Sequence, residues 1–298
     1  MNYRTLITCI LLLASFTIVN PVVTYAQAGD EISFAVKKEG RGKPMIFIHG
    51  LDCSGEVWND AVSHFKNRYT CYTITLPGFA GQPPLKSASV LKTVAGQLAM
   101  FIHNNKLNRP VIVGHSLGGW LALQFGILYP DLAGDIICVS SAPFLPALSM
   151  GSGISVDSAS KIGLLIKNGM ASQTPQQVRQ SSKYILGAMM QDSAKIAWVT
   201  EMSAASDQPT QGEVMYELFS TDLRSQVANI KSRILVLGDW IGYKQYGATR
   251  ESVYNSYKDQ FKLASQVTIA INDNSKHFIM FDEPQWFYKQ ADDFLMNK

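Results

Sequence analysis

The sequence predicts an α/β fold: a doubly wound, mostly parallel sheet covered by helices on both faces, with a helical cap inserted after the strand at 136–139. Three observations predict it. Short apolar runs of strand length alternate with amphipathic stretches of helix length along most of the chain. Several of those runs are continuously apolar, as parallel strands buried on both faces must be. The alternation stops once, over 144–230, where helical stretches rich in methionine follow one another without a convincing strand.

The elements follow in order. Residues 31–37 alternate apolar and polar side chains like a half-buried edge strand, and Gly40, Gly42 and Pro44 then punctuate a turn. A buried strand at 45–48 runs into His49-Gly50-Leu51-Asp52. Residues 57–65 have the spacing of a short amphipathic helix, and the next strand, 71–75, closes with Leu76-Pro77-Gly78-Phe79. A helix at 90–103 leads to the short strand 110–113, and a further helix covers 120–129. Pro130 breaks the chain before the strand 136–139, which is followed by Ser140 and Ser141. Beyond the cap come a strand at 234–237, a helix at about 249–262, a strand at 267–271 and a terminal helix at 284–295.

The first residues stand apart. Arg4 precedes an apolar run over 6–19, and small residues follow at Thr24, Ala26 and Ala28, the pattern of a secretory signal peptide spanning 1–28. That apolar core is shorter than the roughly 20 residues of a spanning helix. Cleavage after Ala26 or Ala28 leaves an exported, periplasmic or secreted protein with no stable membrane insertion. Residues 29–298 then form one domain, 144–230 being its inserted cap.

Composition excludes several partners. A net charge of +3 with 16% charged residues, and no dense run of Lys or Arg, leaves no nucleic-acid or membrane face. Cys9 falls in the leader. Cys53, Cys71 and Cys138 show neither CxxC nor Cys/His spacing suited to zinc, so free buried thiols and no metal are expected.

Chemistry concentrates at Gly114-His115-Ser116-Leu117-Gly118-Gly119, between a strand and a helix. A GxSxG at such a turn holds its serine in a strained backbone conformation, while the small flanking residues let neighbouring backbone pass closely. The helix begins at the serine, so its free N–H groups and positive end face any oxyanion formed there.

Together with His49-Gly50, Leu76-Pro77-Gly78-Phe79 and Ser275-Lys276-His277-Phe278, this elbow resembles the α/β-hydrolase superfamily over nearly the whole mature chain. The resemblance implies Ser116 as nucleophile and His277, after the last strand, as its general base. His64 and His103 fall on surface helices, where they are expected to be solvated, and His115 points away from the hydroxyl. Leu51 and Leu117 are implied as backbone N–H donors to the oxyanion. His49 shapes the first of these loops and, with Trp240 and Phe144, is expected at the substrate.

The acid departs from the family's pattern. It usually stands three residues after the glycine that ends the strand here at 234–237, whereas this chain reads Gly238-Asp239-Trp240-Ile241. Asp239 is the first choice and Asp273 the alternative. Some members carry the acid after the preceding strand, where this chain has Ser140 and Ser141.

The implied activity is that of a carboxylesterase-like serine hydrolase, cleaving an ester, thioester or lactone of a small to medium apolar substrate through an acyl-enzyme, without a cofactor. A carbon–carbon bond hydrolase of diketone-like substrates, and a binding or sensory protein with little turnover, are the alternatives.

Overall fold

A computed structural model describes residues 32–297. The segment 1–28, read from the sequence as a signal peptide, lies outside these described residues. Seven strands form one sheet: β1 (Ala35–Gly40), β2 (Lys43–Ile48), β3 (Tyr69–Thr75), β4 (Val111–His115), β5 (Ile136–Val139), β6 (Ile234–Asp239) and β7 (Val267–Asn272). Their spatial order is β1-β3-β2-β4-β5-β6-β7. All neighbours are parallel except β1, which pairs antiparallel with β3 at the edge. The alternating pattern read at 31–37 therefore marks a real edge strand, displaced toward the Gly40 turn.

Strand periodicity divides the core into two layers. Ile46, Ile48, Ile112, Ile136, Ile234 and Val236 face one side, where α2 (Val90–Asn104), α3 (Leu117–Leu128) and α9 (Arg250–Gln260) cover them. Met45, Phe47, Val113, Ile137, Leu235 and Leu237 face the other, against α1 (Asn59–Phe65) and α11 (Pro284–Met296). Successive side chains of a strand point to opposite faces, so continuously apolar strands require cover on both.

Between β5 and β6 lie the helices α4 (Pro146–Met150), α5 (Val156–Ala171), α6 (Pro175–Met189), α7 (Ser193–Ala204) and α8 (Gln208–Ser220). They form two pairs, α5 against α8 and α6 against α7. Glu217 of α8 ties this cap to the sheet layer by accepting from the Val90 and Leu91 N–H groups at 2.5 and 3.1 Å, capping the start of α2. The cap methionines do not share one wall. Met150 and Met189 are exposed, whereas Met190 and Met202 are buried in the core.

Connections reverse direction beside β2. From β2 the chain goes to β3 on one side and then to β4 on the other, so a crevice opens between the C-terminal ends of β2 and β4. The loops following those two strands carry His49-Gly50-Leu51 and Ser116.

Cys53, Cys71 and Cys138 are free and buried. His64 departs from expectation. It stacks on Tyr288 at 4.3 Å and bonds Asp292 Oδ2 through Nε2 at 2.9 Å. The terminal helix packs on α1 and supplies both partners, which single-helix periodicity does not reveal.

Candidate active site

Ser116 sits at the junction of β4 and α3 with φ 52 and ψ −116. Three hydrogen bonds fix that strained backbone: Ser116 N–H donates to the Val139 carbonyl at 2.9 Å, and the Ser116 carbonyl accepts from Ser141 Oγ at 2.7 Å and from the Trp120 N–H at 3.0 Å. The flanking glycines are sterically required. A Cβ on Gly114 would overlap the Gly118 backbone, and one on Gly118 would lie 2.6 Å from the His49 carbonyl oxygen.

Two N–H groups beside this serine are unspent. Among the described residues, neither the Leu51 nor the Leu117 amide donates to a protein acceptor. Leu117 opens α3, where the first amides lack intrahelical partners. Leu51 lies in the turn after β2, whose shape depends on His49. The His49 ring is fully buried; Nδ1 donates to the Gly50 carbonyl at 2.7 Å, and Nε2 accepts from the Leu76 N–H at 3.0 Å. Burial lowers its pKa to about 4, so the ring is neutral and pins the Gly50 turn to the end of β3.

His277 follows β7, the strand farthest from the crevice, and its loop returns across the strand ends. Asn272 Oδ1 accepts from the Asn274 and Ser275 N–H groups at 2.8 and 2.6 Å, starting the turn. The return brings His277 beside the serine's neighbour: His115 Nε2 donates to the His277 carbonyl at 3.1 Å, and the two rings lie 4.8 Å apart. Burial first, and then the nearby His277, hold His115 well below the usual histidine range. Among the described residues no side chain hydrogen-bonds Ser116 Oγ.

Asp239 ends β6 in register with Asn272 of β7. Its Oδ1 is 3.9 Å from His277 Nδ1, and its side chain is 1% exposed against 16% for His277. Among the described residues neither carboxylate oxygen has a hydrogen-bond partner. Asp273 points elsewhere. Its Oδ1 accepts from Trp240 Nε1 at 3.0 Å and from Arg250 Nε at 2.9 Å, in an exposed ion pair.

Two residues expected at the substrate are placed differently. His49 has both nitrogens engaged and no exposed surface, so it acts on the loop rather than on a ligand. Phe144 is also fully buried: its N–H donates to Gln260 Oε1 at 2.9 Å, and the Arg224 guanidinium covers its ring at 4.8 Å. It anchors the root of the cap. Apolar character and loop position do not tell a buried ring from a lining one. Trp240 is half-buried and turned toward Asp273.

Residues not singled out from sequence complete the surroundings. Asp52, directly after Leu51, has φ 65 and meets the cap: Ser203 Oγ donates to its Oδ1 at 2.7 Å, and its N–H donates to Gln211 Oε1 at 3.2 Å. Burial raises its pKa, and the Ser203 and Gln211 side chains partly offset this. The histidine loop is tied to the cap as well. Lys276 Nζ donates to the carbonyls of Gly187 and Met190 at 2.7 and 3.3 Å, and Gln191 Nε2 donates to the Asn274 carbonyl at 2.6 Å. Neither Asp52 nor Lys276 carried a signal in the sequence: the positive φ of Asp52 and its bonds to the cap exist only in the fold, and the partners of Lys276 are backbone carbonyls.

A strained serine at a strand-to-helix turn, on a sheet whose connections reverse beside it, defines the class of α/β hydrolases. The alpha/beta hydrolase family matches residues 45–290, and the chain belongs to it. A pimeloyl-[acyl-carrier protein] methyl ester esterase from Aliivibrio salmonicida is 32% identical over 105 residues, 35% of this chain and 38% of that protein. The chain thus spans less than half the length of the curated relatives it matches. Among solved structures, an esterase from Exiguobacterium antarcticum superposes with a TM-score of 0.75 at 15% identity, covering 93% of this chain and 100% of that one. An enol-lactonase from Burkholderia xenovorans LB400 gives 0.71 at 13% identity, with 89% and 96% covered. The chain is therefore a member of the alpha/beta hydrolase family with esterases among its relatives.

Proposed function

We propose that the protein is a serine esterase that cleaves a carboxylic ester, thioester or lactone of a small to medium apolar substrate through an acyl-enzyme. The observation that carries this reading is the pairing of Ser116, at φ 52, with two unspent N–H donors, Leu51 in the turn after β2 and Leu117 at the start of α3. Donors fixed in advance stabilise an oxyanion without reorganisation, which is usually the largest single contribution to acyl transfer. Esterase relatives support the substrate class.

In this mechanism Ser116 Oγ attacks the carbonyl carbon and His277 Nε2 takes its proton. The carbonyl oxygen, now negative, accepts from the Leu51 and Leu117 N–H groups. Collapse expels the alcohol, which takes the proton back from His277. Water then attacks the acyl-enzyme with His277 again as base, releasing the acid and restoring Ser116. Asp239 orients the imidazole and stabilises its cationic form. Its 3.9 Å separation from Nδ1 shortens by about an ångström to reach hydrogen-bond length, a tightening that accompanies substrate binding. This chemistry needs no cofactor.

The test is hydrolysis of short p-nitrophenyl esters with fluorophosphonate labelling. Ser116→Ala abolishes both turnover and label, and unchanged turnover in that variant would sink the mechanism. Export belongs to the same proposal and rests on the 1–28 leader. N-terminal sequencing of the protein recovered outside the cytoplasm should begin at Gln27 or Gly29.

A further inference from the structure

Asp52 occupies a backbone conformation that glycine adopts freely and other residues adopt at a steric cost, with φ 65. Its side chain has a use that glycine lacks. The carboxylate accepts from Ser203 Oγ of α7 at 2.7 Å, and Ser203 Oγ is bonded in turn to Ser182 Oγ of α6 at 2.9 Å. The backbone N–H of the same residue donates to Gln211 Oε1 of α8 at 3.2 Å. Ser182, Ser203 and Gln211 are all buried, so their bonds are shielded from competing water. One residue of the turn after β2 thus engages, directly or through one hydroxyl, three of the five cap helices.

The residue before it is Leu51. We propose that Asp52 is a positioning residue through which the docked cap fixes the turn that aims the Leu51 N–H. With Ser203 and Gln211 in place, the Leu51–Asp52 peptide has one conformation and the donor is set. Without them the turn relaxes and the donor is lost part of the time. Cap docking and oxyanion stabilisation are then a single event, and the transition state, rather than the bound substrate, feels the difference. This inference rests on the reading of Leu51 as an oxyanion donor. Other cap contacts persist without Asp52, since Asp207 N–H donates to the Gly78 carbonyl and Ala80 N–H to Ser206 Oγ, each at 2.8 Å.

Asp52→Gly keeps the positive φ and the N–H bond to Gln211, and removes the carboxylate link to Ser203 and, through it, to Ser182. In the full chain it is expected to lower kcat for p-nitrophenyl ester hydrolysis about tenfold, a fraction of the roughly 100- to 1000-fold cost of losing a whole donor, with KM changed less than about twofold. Asp52→Asn tolerates the same φ and still accepts from Ser203, so it restores kcat to within about threefold of wild type. Ser203→Ala lowers kcat in the same direction, and the Asp52→Gly/Ser203→Ala double variant is no worse than Asp52→Gly alone. Hydrogen exchange gives a readout independent of activity: α7 exchanges faster in Asp52→Gly and as in wild type in Asp52→Asn. Unchanged kcat in Asp52→Gly, a loss confined to KM, or additive losses in the double variant overturns the proposal. If Ser116→Ala leaves turnover intact the esterase reading falls, and the exchange measurement alone decides the coupling: unchanged exchange of α7 in Asp52→Gly overturns it.

Discussion

Asp239 Oδ1 lies 3.9 Å from His277 Nδ1, and the aspartate is buried to 1% exposure with neither oxygen hydrogen-bonded among the described residues. A carboxylate buried without a partner is unfavourable unless a cation or donor approaches it. The His277 ring faces it at that distance, and in the proposed mechanism the imidazolium formed on His277 relieves the aspartate as well.

Replacing the two acids separates their roles. Asp239→Asn should lower kcat by about a thousandfold or more, because the imidazole loses both its orientation and its counter-charge. Asp273→Asn removes only an exposed pair with Arg250 and a bond from Trp240, so kcat should stay within about twofold. Steady-state ester hydrolysis by both variants checks this, and a larger loss in the Asp273 variant would reverse the assignment.

Stability should fall on mild acidification. The His49 pKa is about 4 in the folded protein and about 6.5 when unfolded, so the unfolded chain binds more protons between these values. The stabilisation is complete above pH ~6.5, and about 3 kcal/mol is lost as pH falls to ~4. His115 acts in the same direction, whereas Asp52, Glu217 and Asp282, whose pKa values burial raises, act in the opposite one. Urea unfolding at pH 7.5 and 4.5 measures the difference, which should be smaller in His49→Gln. An identical pH response in that variant would contradict the assignment.

Gly118→Ala should damage the fold itself. The new methyl group would meet the Ile48 and His49 backbone, which cannot move without displacing β2. The expected cost is roughly 3 kcal/mol, read from the denaturant midpoint, because overpacking against backbone relaxes poorly. A midpoint within experimental error of wild type would show that β2 can shift.

Lys276→Met retains the apolar stem and loses the charged donor to the Gly187 and Met190 carbonyls at the end of α6. A loss of about 1–2 kcal/mol is expected, with faster proteolysis near residues 187–191. Resistance equal to wild type would show that the Phe278 N–H bond to the Met189 carbonyl suffices to hold that end.

Much of the fold was legible because its signals are local. The buried strand at 136–139 was read to the residue, since β-branched and apolar residues bounded by polar breaks admit few alternatives. The elbow was equally legible, because Gly114, Ser116 and Gly118 are dictated by one turn. The helix at 57–65 was less so. Its first turn is a 3-10 segment, Gly55–Trp58, whose start Ser54 caps by accepting the Glu56 N–H at 3.2 Å.

By itself the sequence determined the order of strands and helices, the strained serine and the set of groups available for chemistry, because each follows from short-range sterics and periodicity. Only the tertiary structure decided which groups meet. His277 comes within reach of the elbow because the loop after β7 folds back across the ends of β6 and β5, and Asp239 faces it because β6 adjoins β7 in register. His49 and Phe144 proved to be buried supports rather than lining, and Asp52 proved to be bonded to the cap. These outcomes depend on contacts between residues remote in the chain. Their free energy comes from packing and from satisfying buried polar groups, and no local pattern encodes either.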